Sequence, residues 1–353
     1  MSNLFQTTPW LKNGLSMTLY SALRASQIWE TTITKVEPQN YREYVFSGAQ
    51  GVPIFGTISL PENPRGTIIG TYGITGDLDN QWFLKLLKYK ALAQNYGVVL
   101  FDWRSHGKTA QLSPTLTSDG LYEGEDFVRI AAGAKALGCP APFWFIGYSL
   151  GGQLALWAAK AAQTLPEWGR DLALHESEIG GVAVICPNLD SNRSLSYLVK
   201  QPLGKYLEKS ITKELKKLAL KLHEYHPQDI APDSIARANS IWGFDRELVI
   251  ERLGFSSVEE YYDASNALKL LPALKTPTLI IYAADDPMFD PAIVPELQAA
   301  CADNPAIDLI LTVHGGHVGY ISNKFGQRLA GDRDRWWAWN RVLEWFDKRS
   351  FGK

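Results

Sequence analysis

Cysteine is scarce in these 353 residues: Cys139, Cys186 and Cys301 stand far apart, and no C-x-x-C pair occurs. A disulfide framework and a thiolate zinc site are thereby excluded, and a reducing compartment is expected. An excess of one charge is also lacking. Basic residues number 35 and acidic ones 37, a formal charge of -2, so there is no global footprint for nucleic acid. No run approaches roughly eighteen apolar residues, the length a membrane-spanning helix needs. The best leader candidate, residues 15–23, is interrupted by Ser16, Thr18 and Ser21, follows a single lysine and lacks a small-residue cleavage site. A soluble, uncleaved, cytoplasmic chain is expected. No repeat has a fixed period. What is present is globular: 46% apolar and 20% charged residues, at a length suiting one large domain or one domain with a sizeable insertion.

From about Tyr41 two periods alternate. Strand-like runs cover 52–60, 67–71, 98–101, 143–146, 182–186, 278–282 and 307–313, several of them continuously apolar, as in a sheet buried on both faces. Helical patterns cover 81–94, 123–137, 150–163, 291–300 and 335–348. This alternation predicts an α/β fold, a mostly parallel central sheet with helices on both faces. Between Pro187 and Pro272 the pattern turns almost wholly helical, which predicts an insertion between two strands, placed to form a lid. The expected organisation is an N-terminal segment (1–40), a core in two parts (41–187 and 272–353) and a helical cap (188–271).

Gly147-Tyr148-Ser149-Leu150-Gly151 joins an apolar strand directly to a helical run. That is the strand–turn–helix setting of a nucleophile elbow, where small residues flank a sharply bent serine. A serine hydroxyl needs a base, and His317 follows the last strand in His314-Gly315-Gly316-His317, where the glycines let the chain turn back over the sheet rim. His314, at the strand end, is expected to make a structural bond. Of Asp285 and Asp286, the second is expected to orient the base. Asp285 is expected to bond its own turn, and Asp290, before Pro291, to cap the next helix. The order serine, aspartate, histidine is that of α/β-hydrolases. Oxyanion donors are expected at the N–H of Leu150 and, from the loop Tyr72-Gly73-Ile74-Thr75-Gly76, at that of Ile74.

Taken together, these pieces resemble an α/β-hydrolase, and more narrowly the YheT-like branch. Further stretches carry the likeness: Pro9-Trp10-Leu11-Lys12-Asn13-Gly14; the D-x-R-x-x-G turn Asp102-Trp103-Arg104-Ser105-His106-Gly107; Gly254-Phe255 with Glu260-Tyr261-Tyr262; and Gly315-Gly316-His317-Val318-Gly319-Tyr320 with Trp336-Trp337. It spans nearly the whole chain, only 166–178 looking like an addition. The resemblance implies Ser149 as nucleophile, Asp286 as orienting acid and His317 as base. Tyr72 stands where a histidine is common, and Gln153 where asparagine is expected. The family consists mostly of esterases and lipases, some passing the acyl group to an alcohol. The expected function is therefore a serine hydrolase of small-molecule or lipid carboxylic esters, needing no cofactor or metal. An acyltransferase on the same residues is the enzyme alternative, and a hydrolase-shaped binding protein the non-enzyme one.

Weaker signals have plainer readings. His223 and His226 do not form H-E-x-x-H, and His106 is expected to be a structural hydrogen bonder. Trp336, Trp337 and Trp339 are expected to pack in the core. Leu203, Leu207, Ile211, Leu215, Leu218 and Leu222 form one stripe of a helix that also carries Lys200, Lys205, Lys209, Lys213, Lys216, Lys217 and Lys221. The stripe is expected to cover the site. The lysines add an expected weak contact with an anionic membrane surface.

Overall fold

Eight strands form one sheet in the computed structural model, which describes residues 5–351; the first four and last two residues of the segments expected above lie outside that range. The strands are β1 (Asn40–Ser47), β2 (Pro53–Leu60), β3 (Thr67–Thr71), β4 (Gly97–Phe101), β5 (Phe143–Tyr148), β6 (Ile179–Ile185), β7 (Thr278–Ala283) and β8 (Ile307–Thr312). Their order is β1-β2-β4-β3-β5-β6-β7-β8. Only β2 runs against its neighbours β1 and β4; from β4 to β8 the pairing is parallel. β3, β4, β5 and β7 are buried throughout, which explains their unbroken apolar sequence: helices cover both faces.

Every strand read from the sequence is present. β6 begins earlier than expected because Gly180 and Gly181 lie inside it. A Cβ on Gly180 would come within 2.6 Å of the Trp144 ring, so glycine here marks close packing and not a break. β1 was not expected. It is an edge strand whose Arg42 and Glu43 blunt the open edge, and only Phe46 on it is buried, so its apolar alternation is faint.

The D-x-R-x-x-G turn after β4 is locked from below. Arg104 donates from Nε to Asp126 Oδ2 (2.8 Å) and from a terminal nitrogen to Asp126 Oδ1 and the Ala49 carbonyl (3.0 Å each). Both side chains are fully buried. The pair ties the turn to the helix α2 (Glu123–Ala136), and losing one partner would strand a buried charge, costing about 3–5 kcal/mol.

Before the sheet, helix α1 (Gly14–Tyr20) and the short turns after it lie on the core, burying Met17 and Trp29. Between β6 and β7 the assigned elements among the described residues are all helical, including Ser191–Leu198, the long Pro202–Tyr225, Ile241–Phe244 and Val258–Ala264. Leu215, Leu222, Phe244, Val249 and Tyr261 belong to a second apolar cluster distinct from the main core.

Chain order and sheet order diverge at β3. The chain leaves β3 for β4 on one side, then crosses to β5 on the other. The carboxyl ends of β3 and β5 therefore flank a crevice, where open α/β sheets bind their ligands.

Candidate active site

Ser149 sits at that crevice, between β5 and the helix α3 (Leu150–Gln163), with φ 54° and ψ −123°. A non-glycine residue there stores strain of about 1–3 kcal/mol, and the surroundings must enforce it. They do. A Cβ on Gly147 would lie 1.9 Å from the Gly151 carbonyl oxygen, and one on Gly151 would lie 2.2 Å from that of Tyr72. The Ser149 N–H donates to the Ile185 carbonyl (3.1 Å), and its carbonyl accepts the N–H of Asn188 (3.0 Å).

The loop after β8 brings His317 over the serine. His317 Nε2 is 2.9 Å from Ser149 Oγ, and Nδ1 is 2.8 Å from Asp286 Oδ2. Asp286 also accepts the Met288 N–H at 2.9 Å, and its side chain is 2% exposed. An ionised Asp286 can only accept, which fixes the imidazole proton on Nδ1 and turns the Nε2 lone pair toward the hydroxyl. His314 and Asp285 form a separate pair, with Nδ1 3.4 Å from Oδ2 but without hydrogen-bond geometry. Contrary to expectation, Asp285 does not bond its own turn; it accepts the Gly316 N–H at 2.9 Å, bracing the histidine loop. Burial pushes its carboxyl up. Asp290 likewise differs from expectation. It accepts the Ala292 N–H at 2.9 Å, and the helix starts only at Ile293, with Ala292 as its N-cap.

The loop after β3 passes close over Ser149: a Cβ on Gly73 would lie 2.9 Å from that of the serine. Ile74 and Leu150 line the same cavity as Ser149. Leu150 is the first residue of α3, where backbone N–H groups have no intrahelical acceptor. Two bonds hold the loop that were not legible beforehand. Tyr72 Oη donates to Asp102 Oδ1 (2.5 Å), and His106 Nε2 accepts the Thr75 N–H (3.3 Å). His106 stacks on Trp103 with ring centroids 3.7 Å apart, and burial pushes its pKa down to about 4. It is therefore neutral at pH 7, with Nδ1–H for the Arg104 carbonyl at 2.9 Å. Gln153, the other departure from the family pattern, donates to the carbonyls of Asp119 and Ser265 and accepts from Asn188, tying the elbow to both ends of the inserted helices.

The cavity above Ser149 measures about 100 Å³ and is walled mainly by apolar groups. Its roof includes Ile211, Leu215 and Leu218 from Pro202–Tyr225, the middle of the stripe. The N-terminal end of that helix instead leaves Leu203 and Tyr206 exposed, as is the preceding Val199. His223 and His226 bond the carbonyls of Ile230 and Ala110 respectively. Trp336, Trp337 and Trp339 are buried in the main core.

Two buried carboxyl groups, Asp119 of the core and Asp245 of the insertion, meet at the cavity wall. Burial first, and then the charges of Asp245 and Glu123, push Asp119 well up; burial pushes Asp245 up to about 7, although Tyr262 Oη donates to it. An unfolded aspartate ionises near 3.8, so between about pH 4 and 7 the folded chain keeps a proton that the unfolded chain has released. Stability contributed here is complete below pH 4 and is lost as pH rises toward 7. Asp245→Asn, which keeps the acceptor for Tyr262, should raise the melting temperature at pH 8 and flatten its fall between pH 5 and 8. A variant melting curve parallel to the wild type's across that range would contradict this.

One set of metal-capable groups occurs among the described residues, with Cys186, Asp286 and His317 offering atoms within 4.8 Å of one another. Burial pushes the Cys186 thiol well up, away from the thiolate a metal takes, and Asp286 and His317 already bond each other.

Comparison with known proteins agrees with this architecture. Residues 66–324 match the family model described as the alpha/beta hydrolase fold. The chain is 54% identical to "Putative esterase slr0264" of Synechocystis over 98% of this chain and 95% of that one. It is 29% identical to "Putative esterase YheT" of Escherichia coli (82% of this chain, 81% of that one) and 25% identical to "Phospholipase ABHD3" of Mus musculus (84% and 71%). With an eight-stranded, mostly parallel sheet, a strained serine at its switch point and these relatives, the chain belongs to the α/β-hydrolase family, on its YheT-like branch.

Proposed function

We propose that the chain hydrolyses carboxylic esters through an acyl-enzyme on Ser149. His317 takes the hydroxyl proton as Ser149 attacks the carbonyl and returns it to the leaving alcohol; Asp286 holds the imidazole and stabilises its cation. The N–H groups of Leu150 and Ile74 receive the developing oxyanion, and water then releases the acid. The observation that carries this reading is the unbroken row Ser149 Oγ–His317 Nε2 and Nδ1–Asp286, at 2.9 and 2.8 Å, with Ser149 lining an apolar cavity. Residues 188–271 act as the cap of the core 41–187 and 272–353. A relative named as a phospholipase supports a lipid-like ester. The cavity, about 100 Å³ and walled mainly by apolar groups, supports a short acyl chain. A panel of esters of rising acyl length, with added alcohol, tests this. Hydrolysis of short esters fastest is expected; acyl transfer to the alcohol dominating over water would make the enzyme a transferase, and no turnover of any ester would overturn the reading.

The exposed Val199, Leu203 and Tyr206 beside Lys200, Lys205 and Lys209 support weak contact of the cap with anionic lipid. Each lysine near such a surface contributes about 1 kcal/mol. Co-sedimentation with anionic vesicles at low salt is expected, diminishing at high salt and on changing Lys200, Lys205, Lys209 and Lys213 to glutamine. Absence of binding at low salt would leave this helix as a lid alone.

A further inference from the structure

The loop that carries His317 is held in an improbable shape. Gly316, Val318 and Tyr320 all have positive φ, at 56°, 55° and 49°, and two of them are bulky residues that disfavour it. A loop of that kind keeps its shape only where its surroundings over-determine it. Asp285 braces one side. The other side is braced by α1, which lies outside the residues matched by the family model.

Helix α1 lies against the loop too closely for intervening side chains. A Cβ on Gly316 would fall 2.4 Å from the Gly14 carbonyl oxygen, and one on Gly319 would fall 2.4 Å from Met17 Cγ. Within this contact the Thr18 hydroxyl reaches the histidine itself: Oγ1 accepts the His317 N–H at 2.8 Å. A backbone N–H only donates and a carbonyl only accepts, so the hydroxyl proton goes to the Gly14 carbonyl, 2.7 Å away. The two bonds fix the rotor, and with it the point from which the imidazole projects between Ser149 and Asp286. Ser21 of the same arm also touches the loop, but at 3.3 Å and on the Val318 carbonyl.

We propose that Thr18 is a positioning residue for His317, its hydroxyl seating the main chain of the histidine so that Nε2 and Nδ1 meet Ser149 and Asp286 together. The inference rests on His317 being the base of the proposed reaction. Without the hydroxyl, the His317 N–H loses its acceptor and the loop can relax, and a displacement of about 1 Å in a reacting group slows chemistry about 100-fold.

The test is steady-state ester hydrolysis by the full-length chain, with rates expressed per active site by burst titration. Thr18→Val keeps the branched shape and removes the hydroxyl. It should lower kcat about 10- to 100-fold with KM changed less than about twofold. Thr18→Ser should restore kcat to within about threefold of wild type, and Ser21→Ala should leave it unchanged. Normalising to titrated sites separates misplacement of the base from loss of folded protein. Unchanged kcat in Thr18→Val, failure of Thr18→Ser to rescue, or an equal loss in Ser21→Ala would each overturn the assignment. Ser149→Ala, measured alongside, separates the two readings. If it stays active, the proposed function falls; if it is inactive while Thr18→Val is unimpaired, only the role of Thr18 falls.

Discussion

Ser149→Ala and His317→Ala are each expected to lower kcat by about 10⁴, and the double variant to lose little more. The reason is geometric. The hydroxyl and Nε2 share one hydrogen bond of 2.9 Å, and neither group has a use in the proposed reaction without the other. What survives in either variant is binding together with the oxyanion donors, which do not depend on the serine proton. Losses that multiply in the double variant would mean the two side chains act in separate steps, and the account would fail. His314→Ala supplies the contrast. His314 faces Asp285 and lines a different cavity with Lys12 and Val313, so its loss should be mild.

The second large effect concerns the two adjacent aspartates. Asp286→Asn should lower kcat by about 10⁴, because an amide in place of the carboxylate can present N–H to Nδ1 and so favours the wrong tautomer. Asp285→Asn should cost far less. Its oxygen accepts the Gly316 N–H, a service an amide oxygen also performs. Steady-state rates of the two variants across pH 6–9 decide the matter, and a larger loss in Asp285→Asn would exchange their roles.

Much of this arrangement was legible because it is local. The elbow needs a buried strand, three close-set small residues and a helix, and all of them fall between Phe143 and Gln163. The choice of Asp286 over Asp285 agrees with the observed bond, although part of the argument for it, an N-cap at Asp290, did not hold. The helix waits until Ile293 because Asp290 first closes a turn on Ala292. Features made by distant partners were not legible. Thr18 and Ser21 read as interruptions of an apolar run, yet their hydroxyls bond a loop some three hundred residues away. Asp119 and Asp245 meet only because the inserted helices fold back over the core. The leucine stripe was visible as a stripe, but its spacing could not say that the middle would roof the cavity while Leu203 stayed exposed. Tyr72 in place of a histidine gave no hint of its partner, since Asp102 arrives from the next strand.

Labelling with a fluorophosphonate, followed by mass spectrometry of the intact chain and its peptides, tests the central claim most directly. The account predicts one adduct per chain, on the peptide carrying Ser149, lost in Ser149→Ala and formed much more slowly in His317→Ala. An adduct on another residue, or none in a wild-type preparation that hydrolyses esters, would contradict it.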